Sequence, residues 1–172
     1  MEFLKLAHER YSCRSLSSAP VEQEKIDRIL EAALAAPTAK NQQPFRIWVL
    51  RSDEARAAAA EAAKFPFVKQ APVIFVIGSV AEEAFVRKFD GKNYADIDAA
   101  IVATHMMLEV QDLGLGTTWV GFMDPEKLYE AVPDMRGKEL VALFAVGYPA
   151  ADAVPAERHF LSREKDELVK AL

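Results

Sequence analysis

The chain has 172 residues, 51% of them hydrophobic and 27% charged, with a formal net charge of -5 and a pI near 5.3. That composition suits one globular domain spanning 1–172, and it leaves no basic face to neutralise a run of phosphates, which argues against a nucleic-acid binder. Charges interrupt Met1 to Arg10, and Asp98, His105 and Glu109 fall inside the longest apolar segment, so neither a signal peptide nor a membrane span is expected. The lone Cys13 cannot make an internal disulfide, and the expectation is a soluble, cytoplasmic protein.

Phe3, Leu4 and Ala7 form a short apolar face, after which Arg10-Tyr11-Ser12-Cys13-Arg14 sets two guanidiniums around a hydroxyl. Arginine forks and a serine hydroxyl suit phosphate oxygens, though a solvated turn between helices has the same composition. Ser18-Ala19-Pro20-Val21-Glu22 is a helix-start signal leading into Ile26, Ile29, Leu30, Ala33 and Leu34 at helical spacing, up to Pro37. The loop from Ala36 to Phe45 is dense in amides and hydroxyls; it suits the edge of a flat heteroaromatic ring, or serves as a polar connector. Arg46 to Leu50 reads as a strand, and an alanine-rich helix runs from Ser52-Asp53 to Lys64, where Phe65-Pro66-Phe67 ends it. Val73 to Gly78 reads as a strand covered on both faces, followed by a helix from Glu82 to Phe89 and a turn over Asp90 to Asn93.

From Asp96 to Leu113 apolar residues fall on nearly every side, leaving a polar stripe of Asp98, His105, Glu109 and Asp112. Such a helix, about 27 Å long, needs partners almost all round, either as the centre of a monomer or as the lining of a subunit interface. His105 is expected to pair with Glu109 one turn on. Gly114 stops the helix, and a strand rises over Gly116 to Gly121. A short helix over Pro125 to Val132, a strand over Glu139 to Val146 and a last helix over Glu164 to Leu172 complete the pattern, which predicts a layered α/β or α+β domain. The chain has no G-x-S-x-G elbow, P-loop, CxxC or HExxH, and its three histidines are scattered, so no metal site is expected. Gly114-Leu115-Gly116 follows a helix and is no dinucleotide fingerprint.

Arg10-x-Ser12-x-Arg14, the run Ala36-Pro37-Thr38-Ala39-Lys40-Asn41-Gln42-Gln43-Pro44-Phe45, Ala71-Pro72-Val73-Ile74, Gly114 to Gly121 and Gly147-Tyr148-Pro149 together resemble the nitroreductase family of FMN-dependent oxidoreductases in order and spacing. The resemblance implies an α+β, three-layer fold with a central mixed sheet flanked by helices, in an intertwined homodimer with FMN at the subunit interface. It implies that Arg10 and Ser12 lie on the FMN phosphate and ribityl chain, with Arg14 beside the flavin N1 and C2 carbonyl and Tyr11 also among the cofactor-binding residues. Pro37, Thr38 and Asn41 match the loop that reaches the partner's flavin, Trp119, Val120 and Gly121 the segment whose backbone faces N5 and O4, and Arg158 a second phosphate ligand. Ala156 stands where the family often has another basic residue. The implied chemistry is ping-pong hydride transfer through flavin N5 from NADH or NADPH to a small nitroaromatic or quinone-type acceptor, with no catalytic side chain required. The same binding residues also suit a flavin storage or sensing protein, or a specialised flavoenzyme of the superfamily.

Overall fold

The computed structural model describes residues 2–172. Helix α1 (Phe3–Glu9) and helix α2 (Gln23–Leu34) precede strand β1 (Phe45–Leu50). Helices α3 (Asp53–Ala63) and α4 (Pro66–Gln70) lead to strand β2 (Val73–Ser79), and the long helix α5 (Ala95–Asp112) to strand β3 (Trp119–Val120). Helix α6 (Pro125–Ala131), strand β4 (Glu139–Val146) and the single turn α7 (Lys165–Leu168) follow.

The sheet order is β1-β2-β4-β3. Strand β2 is buried at every position, and the strand period of two sends Val73, Phe75 and Ile77 to one face and Ile74 and Val76 to the other. Strand β4 repeats the pattern: Ala142, Phe144 and Val146 join the first set, Leu143 and Ala145 the second. The first set packs on Ile26, Ile29 and Ala33 of α2 and Ala99, Val102 and Met106 of α5. The second packs on Ala59 and Ala63 of α3, Val68 of α4 and Leu128 of α6. These are the three expected layers.

The expected mixed sheet is corrected. Among the described residues every strand pairing is antiparallel, and the one parallel contact is the isolated bridge between Ser12 and Thr117. The α5 crossover makes β2 and β3 run the same way, but β4 inserts between them, so this parallel pair never shares hydrogen bonds.

Four local expectations also change. Phe65-Pro66-Phe67 ends α3 but also begins α4: Lys64 closes α3 in the left-handed conformation (φ 58), and Pro66 takes a first-turn position where its missing N–H costs nothing. No helix forms over Glu82 to Phe89. Only a short turn at Ala81–Glu83 is helical, after which Arg87 donates to Asp90, the Asp90 carboxylate caps Lys92 N–H at 3.2 Å, and Gly91 turns the chain back at φ 73. An eight-residue helix without a packing face loses to those local bonds. The last helix shrinks to α7, because residues 160–172 are all exposed and no layer of this chain covers them. Finally, Glu109 pairs not with His105 but with Arg28 of α2, at 2.7 Å.

Gly114 stops α5 as expected. Its φ of 72 lets Leu115 N–H return to Val110 O at 3.0 Å, and the chain turns directly into the segment that leads to β3.

Candidate functional site

Helix α1 ends because Arg10 leaves helical geometry (φ -64, ψ 127), and the chain continues extended. In an extended chain alternate side chains share a face, so Arg10, Ser12 and Arg14 look one way while Cys13, 1% exposed, enters the core. The backbone docks on the segment before β3: Cys13 N–H donates to Thr117 O at 2.9 Å. A Cβ at Gly116 would lie 2.8 Å from Cys13 Sγ, so this approach needs a glycine.

The same strap reaches the chain's C-terminal third. Ser17 N–H donates to Tyr148 O at 2.8 Å, Ala150 N–H to Ser15 O at 3.0 Å, and Ser15 Oγ to Asp152 Oδ1 at 2.8 Å. The chain beyond Asp152 then brings the turn Glu157–Phe160 back beside Arg10. Arg10, Ser12, Arg14, Ala156, Arg158 and His159 line one cleft of about 280 Å³.

Among the described residues none of these three guanidiniums is paired with a carboxylate, although the whole chain is acidic. Arg14 Nη1 makes only a 3.3 Å bond to Ser12 O. Three unneutralised cations with a hydroxyl between them form a site for a multiply charged oxyanion, which arginine forks bind through charge-assisted hydrogen bonds. A larger cleft of about 680 Å³ lies along α3 and α4, but there Arg56 is paired with Asp53, and it lacks this charge imbalance.

His159, which the sequence offered only as one of three scattered histidines, lines the cleft with Ala156, its ring edge-on to Tyr11 with the centroids 6.4 Å apart. Tyr11 is half-buried, and burial together with a hydrogen bond to Cys13 pushes its phenol up to about 12.

Trp119 and Val120 point into the core, Trp119 edge-on to Phe144 at 5.6 Å and Val120 3% exposed. Val120 offers a ligand only its backbone, whereas Trp119 is half-buried and keeps its Nε1 beside Gly121. Gly121 is exposed, and a Cβ there would meet only Trp119 Nε1, at 4.0 Å, so nothing within the chain fills that space.

Pro37, Thr38 and Asn41 do not line the cleft. They belong to a separate loop with unusual backbone: Lys40, Asn41 and Gln43 have φ of 53, 55 and 51. Left-handed geometry costs a residue with a Cβ about 1–2 kcal/mol, and such strain gathers at ligand clamps. Thr38 Oγ1 accepts from Gln43 N–H at 3.1 Å, and Asp98 Oδ1, on α5, accepts from Ala39 N–H at 2.9 Å. The sequence marked Asp98 only as part of a polar stripe.

Among the described residues no helix is long and apolar enough to cross a membrane. The family model for the nitroreductase family matches residues 7–65 and 59–148. An NADH dehydrogenase of Thermus thermophilus is 30% identical over 187 aligned positions, covering 91% of each chain. A crystal structure of a nitroreductase family protein from Clostridium difficile 630 superposes with a TM-score of 0.88 at 33% identity, covering 99% of this chain and 98% of that one. A nitroreductase-like chain from Desulfovibrio desulfuricans, solved in complex with FMN, superposes at 0.81 with 26% identity, covering 100% and 97%. The chain belongs to the nitroreductase family.

Proposed function

We propose that this protein is an FMN-dependent NAD(P)H:acceptor oxidoreductase, a one-domain cytoplasmic enzyme acting as a homodimer on nitroaromatic or quinone-type acceptors. The observation that carries this reading is the cleft that Arg10, Arg14 and Arg158, none paired with a carboxylate among the described residues, line together with Ser12.

The residues present fit FMN. Arg10, Ser12 and Arg158 supply the donor set of a phosphomonoester clamp, with His159 lining the same cleft, and Arg14 adds a cation toward the flavin ring. The bare backbone at Gly121 leaves room for a ring to approach the end of β3. Pro37, Thr38 and Asn41, absent from this cleft, would serve the flavin held by a second copy. When bound, FMN supplies the two-electron hydride chemistry. The chain's own part is to hold the phosphate, fix the ring's orientation, and present a cation where negative charge develops on reduction.

The dimer reading rests on apolar surface that one chain leaves bare. Phe3 and Leu4 are 64% and 61% exposed. A groove of about 350 Å³ between α1, α2 and α5 is lined by Phe3, Leu6, Ala32 and Leu108, with His105, Glu109 and Asp112 as its polar members. Phe160, Leu161, Leu168 and Val169 are exposed on the tail, Phe160 touching only the His159 ring edge-on among the aromatic rings.

The test is steady-state oxidation of NADH and NADPH by the flavin-saturated protein, with and without menadione. Turnover that rises with menadione is expected. Tight flavin binding without turnover would identify a storage or sensing protein instead.

A further inference from the structure

Asp98 is 2% exposed, yet its carboxylate makes one hydrogen bond that reaches outside its own helix. Oδ1 accepts from Ala39 N–H at 2.9 Å, and Oδ2 is sealed from solvent with no partner among the described residues. A carboxylate buried with half its acceptor capacity unused is costly, and a group of that kind in a native fold calls for a function. Its place in the first turn of the 18-residue α5 offsets part of the cost, since the partial positive charge of the helix N-terminus favours an anion there.

The single bond lands on a strained segment. Ala39 is followed by left-handed Lys40 and Asn41 and then, after Gln42, by left-handed Gln43. The other hydrogen bonds that shape the segment are local to it: Asn41 N–H to Thr38 O at 3.0 Å, Gln42 N–H to Ala39 O at 3.2 Å and Gln43 N–H to Thr38 Oγ1 at 3.1 Å. Beyond hydrogen bonds, the Lys40 side chain lays its Nζ over the Phe85 ring, 4.7 Å from the centroid. Strained backbone persists only where its surroundings over-determine it, and Asp98 is the buried anchor that ties this loop to the rigid centre of the domain.

We propose that Asp98 is a positioning residue for flavin binding. By gripping Ala39 N–H it holds the Thr38–Gln43 loop in its left-handed form and so aims Thr38 and Asn41 at the flavin ring. This rests on the proposed FMN-dependent function. It assigns Asp98 a share in affinity for the ring, independent of the phosphate cleft formed by Arg10, Ser12 and Arg158.

The experiment compares wild type, Asp98→Ala and Asp98→Asn by flavin titration and by amide hydrogen exchange of the flavin-free protein. Asp98→Ala should weaken FMN and riboflavin alike, by about tenfold, and speed exchange at Ala39, Asn41 and Gln43. Asp98→Asn keeps an acceptor oxygen for Ala39 and should stay within about threefold of wild type. Wild-type affinity and exchange in Asp98→Ala would overturn the inference, as would a loss confined to FMN or an Asp98→Asn variant as impaired as Asp98→Ala. Wild-type protein that takes up no flavin overturns the proposed function itself, and the exchange measurement still reads whether Asp98 orders the loop.

Discussion

Ser15 Oγ donates a 2.8 Å hydrogen bond to Asp152 Oδ1 across 137 positions of sequence. With Ala150 N–H bound to Ser15 O, this contact fixes where the chain turns back before Arg158 joins Arg10, so the cleft depends on a residue that does not line it. Asp152→Ala should loosen the approach of Arg158. An exposed hydrogen bond is worth about 1 kcal/mol, so FMN affinity should fall roughly fivefold in a fluorescence titration.

Arg158→Ala removes one of three guanidiniums from the cleft, and Ala156 offers no replacement. A charge-assisted hydrogen bond contributes about 1.5–3 kcal/mol, so FMN binding should weaken on the order of 10- to 150-fold, with riboflavin binding almost unchanged. Equal losses for the two ligands would mean that Arg158 does not touch the phosphate.

Much of this architecture was legible in the residues. The buried strand Val73 to Gly78, the strand Glu139 to Val146 and the long apolar helix announce themselves by period and run length, and their bounds hold to within one residue. The segment Gly116 to Gly121 was legible as extended chain but not in its pairing: Gly116 bridges Gly147, Thr117 bridges Ser12, and only Trp119 and Val120 join β4. Such a change of partner is set by tertiary contacts and leaves no periodic trace. The R-x-S-x-R spacing did foreshadow a shared face. His159 was not legible, because its place depends on the Ser15–Asp152 contact. Nor was the Asp98–Ala39 bond, which joins an α5 residue to a loop 59 positions earlier.

Two glycines separate packing from ligand access. At Gly116 a Cβ would lie 2.8 Å from Cys13 Sγ and 2.9 Å from Cys13 Cβ, both in the core. Gly116→Ala should therefore destabilise the fold by about 1–3 kcal/mol, seen as a lower urea midpoint. Gly121→Ala has open space around its Cβ and should keep the wild-type midpoint while losing flavin affinity.

Tyr11 carries a pH signature. Burial, reinforced by Cys13, raises its phenol from 10.0 to about 12. A group whose folded value lies above its unfolded one stabilises fully below the unfolded value, so stability should decline as pH rises from about 10 toward about 12. Burial and the nearby Glu139 and Glu126 carboxylates also push the Tyr129 phenol up, so absorbance titration of phenolate should show late ionisation in which Tyr11→Phe removes one component and leaves that of Tyr129. Loss of a phenolate that ionises near 10.0 instead would place Tyr11 in solvent.

On the proposed function, the arginine cleft of one chain and the Thr38–Asn41 loop of another hold FMN between them. Sedimentation of the FMN-incubated protein, followed by flavin absorbance, tests it most directly. The flavin should travel with a species of twice the 19.1 kDa chain mass and be released as dilution separates the chains. A colourless species of single-chain mass, with all flavin left free, would contradict it.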